Sequence, residues 1–189
     1  MDRRKSIKCY GDASTKTGAG GHITVANRVF YWHLIWSPQQ LKQINKLDNN
    51  KTERNHITTL ELWVVVTNFL LFGDLSTDGE KTKRSQKAKV QLEFMVDNMA
   101  ASTMITNMKS NSEKANRLLQ ALVETQRKYM NTCITTLKAN WLARDLNQAA
   151  DDLSKDAIDE FKERMSGSGK GKEFVRIGVP NEALTWIFN

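Results

Sequence analysis

The stretch Lys5-Ser6-Ile7-Lys8-Cys9-Tyr10-Gly11-Asp12-Ala13-Ser14-Thr15, with glycines following at 18, 20 and 21, decides how the rest of the chain is read. Apolar residues alternate through Ile7 and Cys9, and Tyr10 adds strand propensity, so the segment is expected to be a first strand ending at Asp12. The glycines after it allow tight turning and close approach by another chain. An acid in that setting reads as a metal ligand, provided the chain supplies further acids to join it.

Working outward, residues 21–26 and 29–34 read as a second and a third strand with Asn27-Arg28 as the turn, giving an antiparallel meander. Ser37-Pro38 starts a short helix. Residues 58–72 are apolar nearly all round; three consecutive valines suit a strand, but the length favours a buried helix. Glu61 in the first turn of that helix either serves a cap and the helix dipole or points into a polar site. Residues 74–89 form a polar loop carrying Lys81, Lys83, Arg84, Lys87 and Lys89, a solvated connection by default and the best candidate for a phosphate-contacting patch. Val90 to Val96 alternate as a fourth strand closed by Asp97.

Two helices follow, over residues 100–108 and from a capping box at Ser110-Asn111-Ser112-Glu113, then a fifth strand over 133–141. Asn147 opens a last helix with Ala150, Leu153, Ala157, Phe161 and Met165 on one face and Asp151 in its first turn. Residues 1–165 thus read as one domain, 166–172 as a flexible linker and 173–189 as a C-terminal appendage with Trp186, Ile187 and Phe188 exposed or docked elsewhere.

The chain has 189 residues, with 28 Lys or Arg against 21 Asp or Glu, a net charge of +7. That length suits one domain with a substantial core. The basic balance fits an anionic partner such as nucleic acid, or merely a well-solvated surface. Cys9 and Cys133 lie in apolar-alternating runs and read as buried thiols of an intracellular reducing compartment, cytoplasm or nucleus, rather than a disulfide or metal pair. No run approaches the roughly 18 apolar residues of a spanning helix, so no membrane partner is expected.

The expected fold is α/β: a five-stranded mixed sheet, an antiparallel meander of strands 1–3 plus parallel strands 4 and 5, flanked by helices. If strands 1 and 4 are parallel neighbours, Asp12 and Asp97 meet at their carboxyl ends, where open sheets place ligands. Joined by Glu61 and Asp151, these hard oxygen donors would repel one another unless a divalent cation neutralised them, and magnesium is the cation of choice.

Four blocks carry a resemblance: Tyr10-Gly11-Asp12-Ala13-Ser14 with its glycines, Ile57-Thr58-Thr59-Leu60-Glu61-Leu62, Val96-Asp97-Asn98-Met99-Ala100-Ala101, and Asn147-Gln148-Ala149-Ala150-Asp151-Asp152-Leu153-Ser154-Lys155. In this order, over about residues 5–155, they resemble the ribonuclease H-like domains of retroelement and viral reverse transcriptase polyproteins. The last block is similar to that family's Asn-x-x-Ala-Asp-x-Leu-Ser-Arg, with Lys155 in place of Arg. The resemblance implies an endonuclease cutting the RNA strand of RNA–DNA hybrids with two magnesium ions, or manganese in their place. They would be held roughly 4 Å apart by Asp12, Glu61, Asp97 and Asp151. It also implies nucleic-acid contacts at Ser14, Thr15, Gly20, Gly21 and Asn98 reading 2′-hydroxyls, with Lys81, Lys83, Arg84 and Lys87 on phosphate. A polymerase domain in a longer polyprotein is the expected partner, the chain reading as a piece of a larger element.

Many members of that family carry a histidine ten residues before the final Asp, and here the position is Trp141. His22 and His33, in strands, and His56, at a loop end, read as structural or solvent-facing. The departure supports an alternative, a catalytically weak or inactive module that binds nucleic acid or a protein partner. A third reading takes the carboxylates as unrelated caps and surface charges.

Overall fold

The computed structural model describes residues 5–48, 56–73, 90–130, 134–167 and 171–188. The basic residues Lys81, Lys83, Arg84, Lys87 and Lys89, and Cys133, lie outside them.

The first strand, β1 (Lys5–Ala13), sends Ile7 and Cys9 into the core. It pairs antiparallel with β2 (Gly18–Val25), which pairs antiparallel with β3 (Arg28–Ile35). Val25 faces Arg28 across the hairpin, so the turn is Ala26-Asn27, one residue earlier than expected, with Ala26 in the left-handed region at φ 52. On its other side β1 pairs in parallel with β4 (Val90–Val96), and β4 pairs in parallel with β5 (Ile134–Trp141). This is the mixed α/β sheet expected from the sequence, with one strand more. A sixth strand, β6 (Glu173–Arg176), adds in parallel to β3, giving the order β5-β4-β1-β2-β3-β6.

One face is covered by helices built around α2 (His56–Phe72), which follows α1 (Pro38–Asp48). The segment is a helix, as its length favoured, and Leu60, Leu62, Trp63, Val66, Phe69 and Phe72 are wholly buried. An all-round apolar segment of this length is satisfied when one flank meets the sheet and the others meet neighbouring helices. Those neighbours are α3 (Met99–Asn107) and α4 (Glu113–Met130), and Gly11 lets α2 lie close: a β-carbon there would stand 2.3 Å from Val64 Cγ1.

The opposite face carries α5 (Gln148–Ser154) and α6 (Ile158–Ser166), with Phe161 packed on Tyr31 and His22. The sequence led us to expect one continuous helix here. Instead the chain breaks after Ser154, where Asp156 adopts φ 64, and restarts at a new angle. The apolar spacing runs through the break because both short helices face the same sheet.

Residues 173–188 share the sheet and core of the rest. Beyond β6, α7 (Asn181–Phe188) buries Ala183 and Ile187 against α2, Trp63 Nε1 donates to the Ala183 carbonyl at 2.6 Å, and Phe188 meets Trp36 edge-on.

Candidate metal centre

Because β1 and β4 are parallel neighbours, Asp12 near the end of β1 and Asp97 just after β4 come to one edge of the sheet. Glu61 reaches that edge from α2. The helix begins at His56, so Glu61 lies beyond its first turn and has no part in capping it. Its Oε1 instead accepts the backbone N–H of Ala13 at 3.2 Å. Asp12, Glu61 and Asp97 each present a carboxylate oxygen within 4.8 Å of the others.

Asp12 and Glu61 are only 2% and 3% exposed, so neighbouring negative charges meet away from water. Burial pushes the Asp12 carboxyl up to about 6, opposed by the hydrogen bond that Ser154 Oγ donates to Oδ2 at 2.6 Å and reinforced by the charges of Asp97 and Asp151. Burial, followed by the Asp12 and Asp97 charges, holds Glu61 well above the ordinary carboxylate range. Asp97 is raised too, chiefly by burial, while Arg144, with Nε 4.0 Å from Oδ2, and a hydrogen bond from Asn147 act against the rise.

The donor set is all carboxylate oxygen, without histidine or cysteine, and could hold a divalent cation that accepts oxygen ligands. Asp151 stands outside the group of three but close enough for its charge to raise both Asp12 and Asp97. Its Oδ2 accepts Lys155 Nζ at 2.7 Å, one turn along the helix. The adjacent Asp152 is turned the other way, to Arg164 Nε at 2.8 Å.

Three supporting residues received no role from the sequence. Asn147, 1% exposed, donates from Nδ2 to the Gly11 carbonyl at 3.0 Å and so ties the start of α5 to β1. Ser154, wholly buried two turns later, orients Asp12, and Arg144, largely exposed, faces Asp97. Asn147 and Ser154 bracket the last sequence block. The available signal was their seven-residue spacing, which puts both on the side of the helix facing the sheet.

The expected nucleic-acid contacts divide. Ser14 and Thr15 are half-buried in the β1–β2 loop, where Ser14 Oγ accepts the N–H groups of Lys16 and Thr17 and its carbonyl accepts Trp36 Nε1 at 2.6 Å. Asn98 caps α3, accepting the Ala101 N–H at 3.0 Å. Gly20 and Gly21 lie within β2. Both are buried, and added β-carbons would stand 2.4 Å from Leu153 Cβ and 2.1 Å from Asn68 Oδ1 respectively. These glycines admit α5 to one face of β2 and α2 to the other.

Of the histidines, His22 is buried in a parallel stack on Tyr10 at 4.9 Å, and burial lowers it to about 3. His33 is half-buried and also lowered, first by burial, and His56 begins α2. Trp141, at the end of β5, is 53% exposed.

No protein-family model and no curated protein matches the chain. Solved structures of similar shape include RNase H1 from the halophilic archaeon Halobacterium salinarum NRC-1, at 14% identity and a TM-score of 0.49 over 82% of this chain and 98% of that one. LC11-RNase H1, from compost, in complex with an RNA/DNA hybrid, is similar at 14% identity and 0.47 over 82% and 96%. The N-terminal RNase H domain of rv2228c from Mycobacterium tuberculosis follows at 12% and 0.46 over 85% and 96%.

Proposed function

We propose that the chain is a magnesium-dependent endonuclease hydrolysing the RNA strand of RNA–DNA hybrids. The observation that carries this reading is the convergence of the Asp12, Glu61 and Asp97 carboxylates to within 4.8 Å at one edge of the sheet. Buried acids this close make a poor stability element and a good cation site. The four sequence blocks occur in the order of the ribonuclease H-like pattern, and the net charge of +7 favours a polyanionic substrate.

Asp12, Glu61 and Asp97 hold the cations in this reading, with Asp151 beside them. Cations held there would supply activation of an attacking water and neutralisation of charge on the phosphate and the leaving oxygen. Around them, Ser154 keeps Asp12 Oδ2 in one orientation, and Asn147 fixes α5 against β1. Arg144, largely exposed beside Asp97, would be placed to meet a substrate phosphate. The resemblance assigns the activity to reverse transcription, with a polymerase domain as partner.

The test is incubation of the protein with a labelled hybrid and magnesium or manganese. Cut RNA is expected from the parent, with loss of at least about a hundredfold in Asp97→Asn. An intact hybrid in both metals, with binding retained, would replace this reading by that of a binding module.

A further inference from the structure

We infer that Trp141 contacts the nucleic acid directly, its indole lying against a ribose or base face beside the carboxylate centre. The inference rests on the proposed hydrolase reading. Trp32, Trp36 and Trp63 are at most 3% exposed and Trp186 is half-buried, whereas Trp141 leaves 53% of its surface in water. Among the described residues it stacks on no aromatic ring. Its place in the fold is specific: it pairs with Val96, the residue before Asp97, and so stands roughly 4.8 Å across the ladder from the strand end that bears the acid.

Trp141 also belongs to a rim. Met99, 63% exposed, follows Asp97 by two residues, and Leu146, 67% exposed, lies in the short 3-10 turn whose Arg144 faces Asp97. Three exposed apolar residues on three segments thus fall next to Asp97 in the ladder, in the sequence or in the turn that carries its guanidinium neighbour. The core of a protein–protein contact is depleted of charge. Aromatic faces next to cations are what a nucleic-acid groove uses, the ring packing on a nucleotide while the cation meets phosphate. An indole at this edge adds contact area to any sequence, as a sequence-tolerant nuclease requires.

The experiment uses Asp97→Asn protein, and parent protein in EDTA, with an uncut hybrid. Binding is read by anisotropy of a fluorescein-labelled hybrid and, separately, by intrinsic tryptophan emission with unlabelled hybrid. Saturation should quench and blue-shift the emission. Trp141→Phe should abolish that change while binding within about threefold of the parent, and Trp141→Ala, with an unchanged melting temperature, should bind about tenfold more weakly. Binding by anisotropy with unaltered emission, or equal affinity in Trp141→Ala, overturns the inference and leaves the hydrolase reading standing. Absence of binding in both samples overturns both. A concentration-dependent emission change without nucleic acid, lost in Trp141→Ala, would make the rim a contact between copies of the chain and also overturn the inference.

Discussion

Asp12 shows how one residue's setting gives it a chemical role. A carboxylate at the surface costs nothing to ionise, but this one is 2% exposed and shares its space with Glu61 and Asp97. Its folded pKa of about 6 exceeds the ordinary 3.8, so the native state binds its proton more tightly than the unfolded chain does. The stability this gives is complete below about pH 4 and is lost as pH rises through about 6, with Glu61 extending the loss higher. Without divalent cations, Asp12→Asn is therefore expected to raise stability at pH 7.5 by up to roughly 3 kcal/mol and to flatten the fall in melting temperature above pH 4. Millimolar magnesium should raise the melting temperature of the parent at that pH and leave Asp12→Asn unmoved. Calorimetry at several pH values, with and without magnesium, measures both.

Among the elements, α5 supports the centre without supplying any of its three grouped carboxylates. It supplies Asp151 and Ser154 and is anchored at its start by Asn147, yet it is only seven residues long. Its position is set by close contact with β2 at Gly20, where a β-carbon would meet Leu153 Cβ at 2.4 Å and the Trp32 carbonyl oxygen at 3.0 Å. Gly20→Ala should thus cost about 1–3 kcal/mol by overpacking. Because the displaced helix carries Ser154 away from Asp12, the same substitution should weaken magnesium binding at least severalfold. Chemical denaturation and magnesium titration by calorimetry test the two effects together; unchanged metal affinity in a destabilised variant would separate α5 from the centre. On the opposite face, α2 brings Glu61 to the strand ends because Gly11 lets Val64 lie against β1.

At the scale of the whole molecule, the C-terminal residues complete both layers. The β6 strand extends the sheet past β3, and α7 closes the end of the core over Trp63 and Trp36. A chain ending at residue 167 should lose at least about 3 kcal/mol, since the core loses the buried Ala183 and Ile187 and the indole of Trp63 loses its acceptor. Urea denaturation of the shortened chain checks this, and a midpoint equal to that of the full chain would show that α7 adds nothing to the core.

The sequence alone determined the order of the first five strands along the chain, the meander, the parallel return of the fourth strand and the placing of Asp12 and Asp97 at neighbouring strand ends. Period-two alternation and an Asp at the end of the first and fourth strands are local patterns, written in a few adjacent residues. What Glu61 and the glycines do was decided only by tertiary structure. Glu61 was equally a cap or a site residue until the true start of α2 and the Ala13 contact were known. Gly20 and Gly21 suited an exposed turn and a helix-packed strand alike. The break between α5 and α6 and the docking of residues 173–188 were hidden for the same reason. Each depends on which distant surface a segment meets, and contacts between residues far apart in the chain leave no mark in local periodicity.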